Sequence, residues 1–89
     1  MTSIYANFID HNETLISARW NAGNDAGEGM GWGREDMTPR QAAEDMGAAI
    51  IHEDSTGQGG ICELSDRLYM VADCNGPWAV EVATQEDLG

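Results

Sequence analysis

The chain has 89 residues, of which sixteen are Asp or Glu and four are Arg, with no Lys, so its formal net charge is −12. A chain of this length forms one small domain, over residues 1–89, that buries roughly 60–65% of the surface exposed when unfolded. Because affinity for DNA and RNA comes largely from Lys and Arg side chains, this composition argues against direct nucleic-acid binding.

Two short runs near the N-terminus are rich in β-branched and aromatic residues. They are "SIYANFI", residues 3–9, and "TLISARW", residues 14–20. Each run alternates in part between apolar and polar residues, and the polar segment "DHNE" separates them. This pattern predicts a β-hairpin.

Residues 21–36 contain five glycines and no branched aliphatic residue. We predict a Gly-rich loop or an edge segment of the sheet. Trp32 and Glu28 are candidate partner-binding residues within it, since Trp is frequent as an interface anchor. In one interpretation Met30, Trp32 and Arg34 project outward. In the alternative, Trp32 folds back and covers the sheet.

The segment "MTPRQAAEDMGAAII", residues 37–51, carries the signals of a helix start. Thr38 and Gln41 match a capping box, and Pro39 suits the first helical position. Apolar residues then recur at helical spacing, so we predict a helix over residues 39–52. His52 would lie at its C-terminus, where a cation interacts favourably with the helix dipole.

Three strand-like runs follow, and together they predict an antiparallel meander. The runs are residues 61–64, 68–73 and 78–84, and Ser65-Asp66 is the expected turn between the first two. Pro77 lacks the N–H that a tight Asn-Gly turn needs, so we predict a wider loop over "CNGP".

That wider loop would pair Asp73 with Trp78 and Val71 with Val80 across the last hairpin. The tail, residues 85–89, is expected to fray. The whole pattern predicts an α+β fold, with an antiparallel sheet of about four to five strands and one amphipathic helix packed on one face.

Residues capable of catalysis or metal binding do not form a recognisable motif. The spacing of the glycines fits no phosphate-binding loop, and the acidic stretches fit no EF-hand. His11, His52, Cys62 and Cys74 are the only imidazoles and thiols. We therefore predict no enzyme activity, no catalytic residue, no cofactor and no metal site. No signal peptide or long apolar run is seen, which predicts a cytoplasmic protein without membrane contact.

The carboxylates around the predicted helix are the candidate partner-binding site. They could form an acidic ridge that mimics the phosphates of DNA and occupies a basic surface, most often found on proteins that handle nucleic acid. The alternative is an ordinary solvent-exposed helix face. In that case the acidic residues serve solubility or reflect the amino-acid composition of the source lineage. The ridge comprises Glu35, Asp36, Glu44, Asp45, Glu53 and Asp54.

Three features cover most of the chain together. They are the predicted strand pairs on either side of "MTPRQAAEDMGAAI", the charge of −12 and the lack of catalytic residues. In this combination of features the chain resembles the small acidic phage-encoded inhibitors of host defence, anti-CRISPR proteins in particular. The resemblance implies a non-enzymatic inhibitor in the host cytoplasm that blocks DNA engagement or nuclease recruitment by a CRISPR–Cas effector. These inhibitors share no common site, so the resemblance assigns no residue roles.

Other classes of function remain open at this level. An immunity protein that neutralises a nuclease toxin would also be small and acidic, and would gain from charge-steered association. A small adaptor or dimerising subunit could pair through an exposed Gly-rich strand, as a monomer or homodimer. A small enzyme or metal protein would have to use His11, His52 and the cysteines.

Overall fold

The computed structural model describes residues 5–56 and 58–88. Five strands form one antiparallel sheet in the order β1-β5-β4-β3-β2, which confirms the predicted α+β class. In chain order the elements are α1 (Ala6–His11), α2 (Glu13–Asp25), β1 (Met30–Gly31), α3 (Pro39–Asp45), β2 (Ala49–Glu53), β3 (Gly60–Leu64), β4 (Arg67–Asp73), β5 (Pro77–Thr84) and a final 3₁₀ helix (Gln85–Leu88).

The predicted N-terminal hairpin is wrong, because α1 and α2 occupy this part of the chain. Phe8, Ile9 and Ile16 are buried against the sheet, and Trp20 packs beside them. Ile16 and Trp20 lie four residues apart on α2, a helical spacing that the partial alternation masked. Residues 3 and 4 of the predicted hairpin lie outside the described residues.

A close approach between α2 and β5 depends on Gly23. A Cβ atom at this position would overlap the side chain of Val80, which is itself buried. Glycine therefore lets the helix backbone lie directly on the strand. Glycine in a helix interior normally costs up to about 1 kcal/mol of stability relative to alanine. The close packing on β5 offsets this cost.

The predicted helix over residues 39–52 is confirmed only in its first half. The capping box between Thr38 and Gln41 is present, with Pro39 at the first helical position. The helix ends at Asp45, because Gly47 adopts a φ of +80° and turns the chain into β2. His52 therefore lies in an exposed strand and not at a helix C-terminus.

The C-terminal meander is present, with one correction to its register. Ser65 and Asp66 both adopt positive φ, as a two-residue hairpin turn requires. At the last hairpin Asp73 pairs with Pro77, and Val71 with Ala79, so the predicted partners are wrong by one residue. The carboxylate of Asp73 accepts a hydrogen bond from the N–H of Gly76 at 3.0 Å, which closes the shorter turn.

Helical segments cover both faces of the sheet, so the predicted single helix on one face is incomplete. Helices α1 and α2 cover one face, where Ile61, Leu68 and Val80 belong to the core. Helix α3 and the segment before it cover the other face, around Cys62 and Val71. The core on this second face, beneath α3, is the smaller of the two.

The tail is anchored over residues 85–88, contrary to the predicted fraying, while Gly89 lies outside the described residues. Arg19 on α2 donates to the carboxylate of Asp87 at 2.7 Å and to the carbonyl oxygen of Val82 at 2.9 Å. Asp87 also accepts the backbone N–H of Thr84 at 2.7 Å. These bonds join α2, β5 and the 3₁₀ helix.

Replacing Asp87 with asparagine is expected to lower the free energy of unfolding at neutral pH by about 1 kcal/mol, the size of one partly exposed charged hydrogen bond. The hydrogen bond from Arg19, followed by that from Thr84, lowers the pKa of Asp87. A lowered pKa in the folded state stabilises the fold above the unfolded-state pKa, and this contribution is lost as the pH falls.

Urea unfolding of the two proteins at a series of pH values checks this prediction. The difference should be full at neutral pH and should shrink below about pH 5, where the unfolded carboxyl group begins to bind protons. A difference that stays constant down to the lowest pH would contradict the assigned pair.

Candidate functional site

The edge of the sheet formed by β2 carries the main group of predicted site residues. Arg40 on α3 contacts the carboxylates of Glu44 at 3.4 Å and Glu53 at 2.9 Å. Asp45 follows Glu44 at the end of α3, and Asp54 follows Glu53 at the end of β2. We refer to Glu44, Asp45, Glu53 and Asp54 as the acidic edge. All four are exposed, and one guanidinium is shared between two of them.

The loop after β2 is held in place by short-range hydrogen bonds. Asp54 accepts the backbone N–H of Thr56 at 3.0 Å and its hydroxyl at 2.7 Å. The N–H of Asp54 donates to the carbonyl of Gly59 at 3.0 Å, and the N–H of Arg40 to the carbonyl of Gln58 at 3.0 Å. These bonds join the loop to the start of α3 and fix the position of Asp54 within the acidic edge.

Glu35 and Asp36 lie at the end of the sheet where β2 finishes. Glu53 pairs with Gly60, which pairs in turn with Val71, so the β2–β3 loop and the β4–β5 turn share this end. The backbone of Glu35 lies next to Gly76 in that turn. Asp36 contacts Arg34 at 3.2 Å. The structure therefore brings Glu35 to the same end as Glu53, but not onto the acidic edge.

Two predicted site residues do not belong to this surface. Trp32 is only 4% exposed, so the interpretation of this side chain as an outward anchor is wrong. Its ring lies 5.2 Å from that of Tyr69, at 44° between planes, and it covers the sheet as the alternative proposed. Glu28 is exposed near β1, at the opposite edge of the sheet from β2.

The Gly-rich segment is partly as predicted. Met30 and Gly31 form a short edge strand that pairs with Ala79 and Trp78. Residues 21–25, in contrast, are the last part of α2. The edge strand places Trp32 over the second face of the sheet, because the N–H of Trp32 continues the pairing by donating to the carbonyl of Pro77 at 2.9 Å.

All four arginines lie within the described residues, and each binds a carboxylate of the same chain. Arg19 contacts Asp87, Arg34 contacts Asp36 and Arg67 contacts Glu81, while Arg40 contacts the acidic edge. Each positive charge is therefore paired with a negative charge of the same chain at the protein surface. The sixteen carboxylates exceed the arginines fourfold, which leaves a negative surface.

A groove beside β2, which the sequence interpretation missed, separates that strand from α1 and α2. Its volume is about 250 Å³. Ile9, Ile16, Ile61 and Met70 give it an apolar floor, and Glu13, Ser17, His52 and Asp54 lie around it with Gly60. Ile9 reaches the groove from α1 and Ile16 from α2, so no single periodic pattern in the sequence placed the two side chains together.

The thiols and imidazoles do not form a shared site. Burial raises the pKa of the Cys62 thiol to about 12, whereas Cys74 is exposed in the β4–β5 turn. The Nδ1 atom of His11 lies 2.8 Å from the carbonyl oxygen of Asn7 on the same helix. Over residues 5–56 and 58–88, no group of three or more His, Cys, Asp or Glu side chains is arranged to hold a metal ion.

Within the described part of the chain, no helix has both the length and the apolar character needed to cross a membrane. Comparisons with protein families, with curated proteins and with solved structures find no match to this chain.

Proposed function

We propose that the protein is a non-enzymatic inhibitor that binds the basic surface of a nucleic-acid-handling protein, with a CRISPR–Cas effector as the partner class. The observation that supports this is the pairing of every arginine with a carboxylate of its own chain. With its cations paired to its own carboxylates, the molecule presents negative charge outward. Such a surface attracts a basic partner and repels nucleic acid.

The acidic edge is the part of this surface best suited to bind. Its carboxylates stand on a helix and a strand, and Arg40 holds Glu44 and Glu53 relative to each other. Fixed charges lose little conformational entropy when a partner binds. They can occupy positions on a basic surface that phosphates of DNA would otherwise fill, or cover a surface needed to recruit a nuclease.

Exchanging Glu44 and Asp45 for lysine is expected to slow association with the effector by roughly tenfold at low salt, and less at high salt, because charge steering is screened. Lysine is favourable near a helix C-terminus, so the fold should persist. Association rates are measured by surface plasmon resonance against purified CRISPR–Cas effectors at several salt concentrations.

The matched control exchanges Asp10 and Glu86 for lysine, which changes the net charge equally at residues outside the acidic edge. An equal loss in both double variants would show that only net charge matters and would overturn the acidic edge as the site.

Capture from a lysate that carries effectors tests the partner class. Recovery of an effector supports the proposal, and its loss when the DNA path is filled indicates occlusion of that path. Recovery of a toxin nuclease instead would favour an immunity protein, and recovery of neither would contradict the proposed function.

A further inference from the structure

We infer that the open edge of β2 binds an extended, Lys- or Arg-containing segment of the partner as a sixth strand of the sheet. The inference rests on the proposed function, since it assigns the binding mode and the chemistry of the segment recognised. Extended peptides that add to a sheet edge gain affinity from backbone hydrogen bonds and specificity from pockets for alternate side chains.

The two edges of the sheet differ in how they are closed. At the β5 side, β1 pairs with Trp78 and Ala79, and Arg19 binds the carbonyl oxygen of Val82. At the other side, β2 pairs with β3, and β3 is its strand partner within the described ranges. Ala49, His52 and Glu53 are exposed there. β1 is only two residues long, whereas β2 has five, so the β2 edge offers the longer segment to a further strand.

The groove beside β2 lies where side chains of an added strand would point. Successive side chains of a strand alternate between the two faces, so every second one would lie on the α1–α2 side. The apolar floor there, with Ile61 and Met70, suits the aliphatic stem of a lysine or arginine. Glu13 at the start of α2 is placed to meet its charged end.

Side chains on the opposite face would meet the acidic edge, where Glu44 and Glu53 are held by Arg40. On this face Glu44, Asp45 and Glu53 against the guanidinium of Arg40 leave a formal charge of −2, while Asp54 lies at the groove on the other face. Both faces of an added strand thus favour positive charge. This complementarity indicates the chemistry of the occupant.

The same charges disfavour a second copy of this chain. Antiparallel pairing of two β2 strands around a two-fold axis would bring Glu53 of one copy towards the Ala49 end of the other, close in sequence to Asp45. Like charges across an interface are destabilising. The bulge between Ile50 and His52 interrupts the edge, so an added strand of either kind would pair regularly only over a short segment.

A short capped peptide of alternating valine and lysine is the probe for this inference. Titrated into isotope-labelled protein, it is expected to shift the backbone amide resonances of residues 49–53 and to slow their hydrogen exchange. Glu13→Gln should weaken binding about threefold, the size of one partly exposed ion pair. Glu86→Gln, which makes the same charge change on the 3₁₀ helix, should leave the affinity unchanged.

Two control peptides separate strand addition from general attraction. Methylation of the alternate backbone nitrogens that face β2 removes the N–H donors of the peptide and sterically blocks close pairing, so it should abolish the protection of β2. Glutamate in place of lysine should abolish binding. Shifts away from β2, equal binding of the methylated peptide or no binding would overturn the inference. The outcome is independent of effector capture: an effector bound without a β2 response contradicts this inference alone, whereas a β2 response without effector capture contradicts the proposed partner.

Discussion

Replacing Trp32 with alanine is expected to lower the free energy of unfolding by about 3–5 kcal/mol, as found for large aromatic side chains removed from cores. Trp32 is buried against Tyr69 and joins the core beneath α3, the smaller of the two. Domains of this kind are stabilised by only about 5–15 kcal/mol, so the loss takes a large share of the total. Urea unfolding followed by far-ultraviolet circular dichroism measures it.

Trp32→Phe is the matched control for this substitution. Phenylalanine keeps an aromatic ring beside Tyr69 and leaves a smaller cavity, so it should lose less than half as much stability. If alanine at position 32 left stability unchanged but abolished binding to the partner, Trp32 would be an interface anchor and its assigned place in the core would be wrong.

Replacing Gly60 with alanine is expected to destabilise the fold by about 3 kcal/mol, the combined scale of overpacking and backbone strain. Gly60 starts β3 with a φ of +154°, a conformation that favours glycine. A Cβ atom there would overlap the carbonyl oxygen of His52 and approach the Cα of Glu53. Both obstacles are backbone atoms of β2, so a side chain cannot simply rotate away.

Gly31→Ala is the control for Gly60→Ala, and thermal unfolding of both variants provides the measurement. A Cβ atom at Gly31 meets nothing within 4 Å, so its effect should stay within about 0.5 kcal/mol. A destabilised Gly60→Ala protein should also show faster hydrogen exchange in β2. Equal stability of the two variants would mean that β2 can move away from β3 at little cost.

Part of this fold could be predicted from the sequence, because it depends on interactions between residues close together in the chain. The capping box at Thr38 and Gln41 and the turn at Ser65 and Asp66 depend on hydrogen bonds and dihedral angles within a few residues. The meander followed because its strands are close in the chain. These features need no information about distant packing.

The failures have tertiary causes. Phe8 and Ile9 fit either a strand or a helix face, and contact with the sheet decides for the helix. Gly47 interrupts an apolar pattern that otherwise continues to Ile51, so the helix was predicted too long. Trp32 is buried because its backbone pairs with Pro77, forty-five residues later in the chain. Such a contact leaves no local signal.

The sequence allowed several acidic residues of the candidate site to be named, but not the groove beside them. Glu44 and Glu53 were named correctly as neighbours of one surface, since both flank the same stretch of chain. The groove beneath β2 was not foreseen, because it needs His52 in a strand and Ile9 on a helix at the same time. Glu28 was included from sequence proximity alone and lies at the opposite edge.

The packing of α2 on β5 has a consequence for the order in which the molecule folds during synthesis. The strand that covers Ile16 and Gly23, Pro77–Thr84, is the last of the described strands to leave the ribosome. Until β5 appears, α2 lacks the strand against which Gly23 packs, and the sheet offers the helices only the side chains of β3 and β4, such as Ile61 and Leu68. A nascent chain that stops before residue 77 would therefore leave the surface of α2 that faces β5 uncovered and exposed to chaperones.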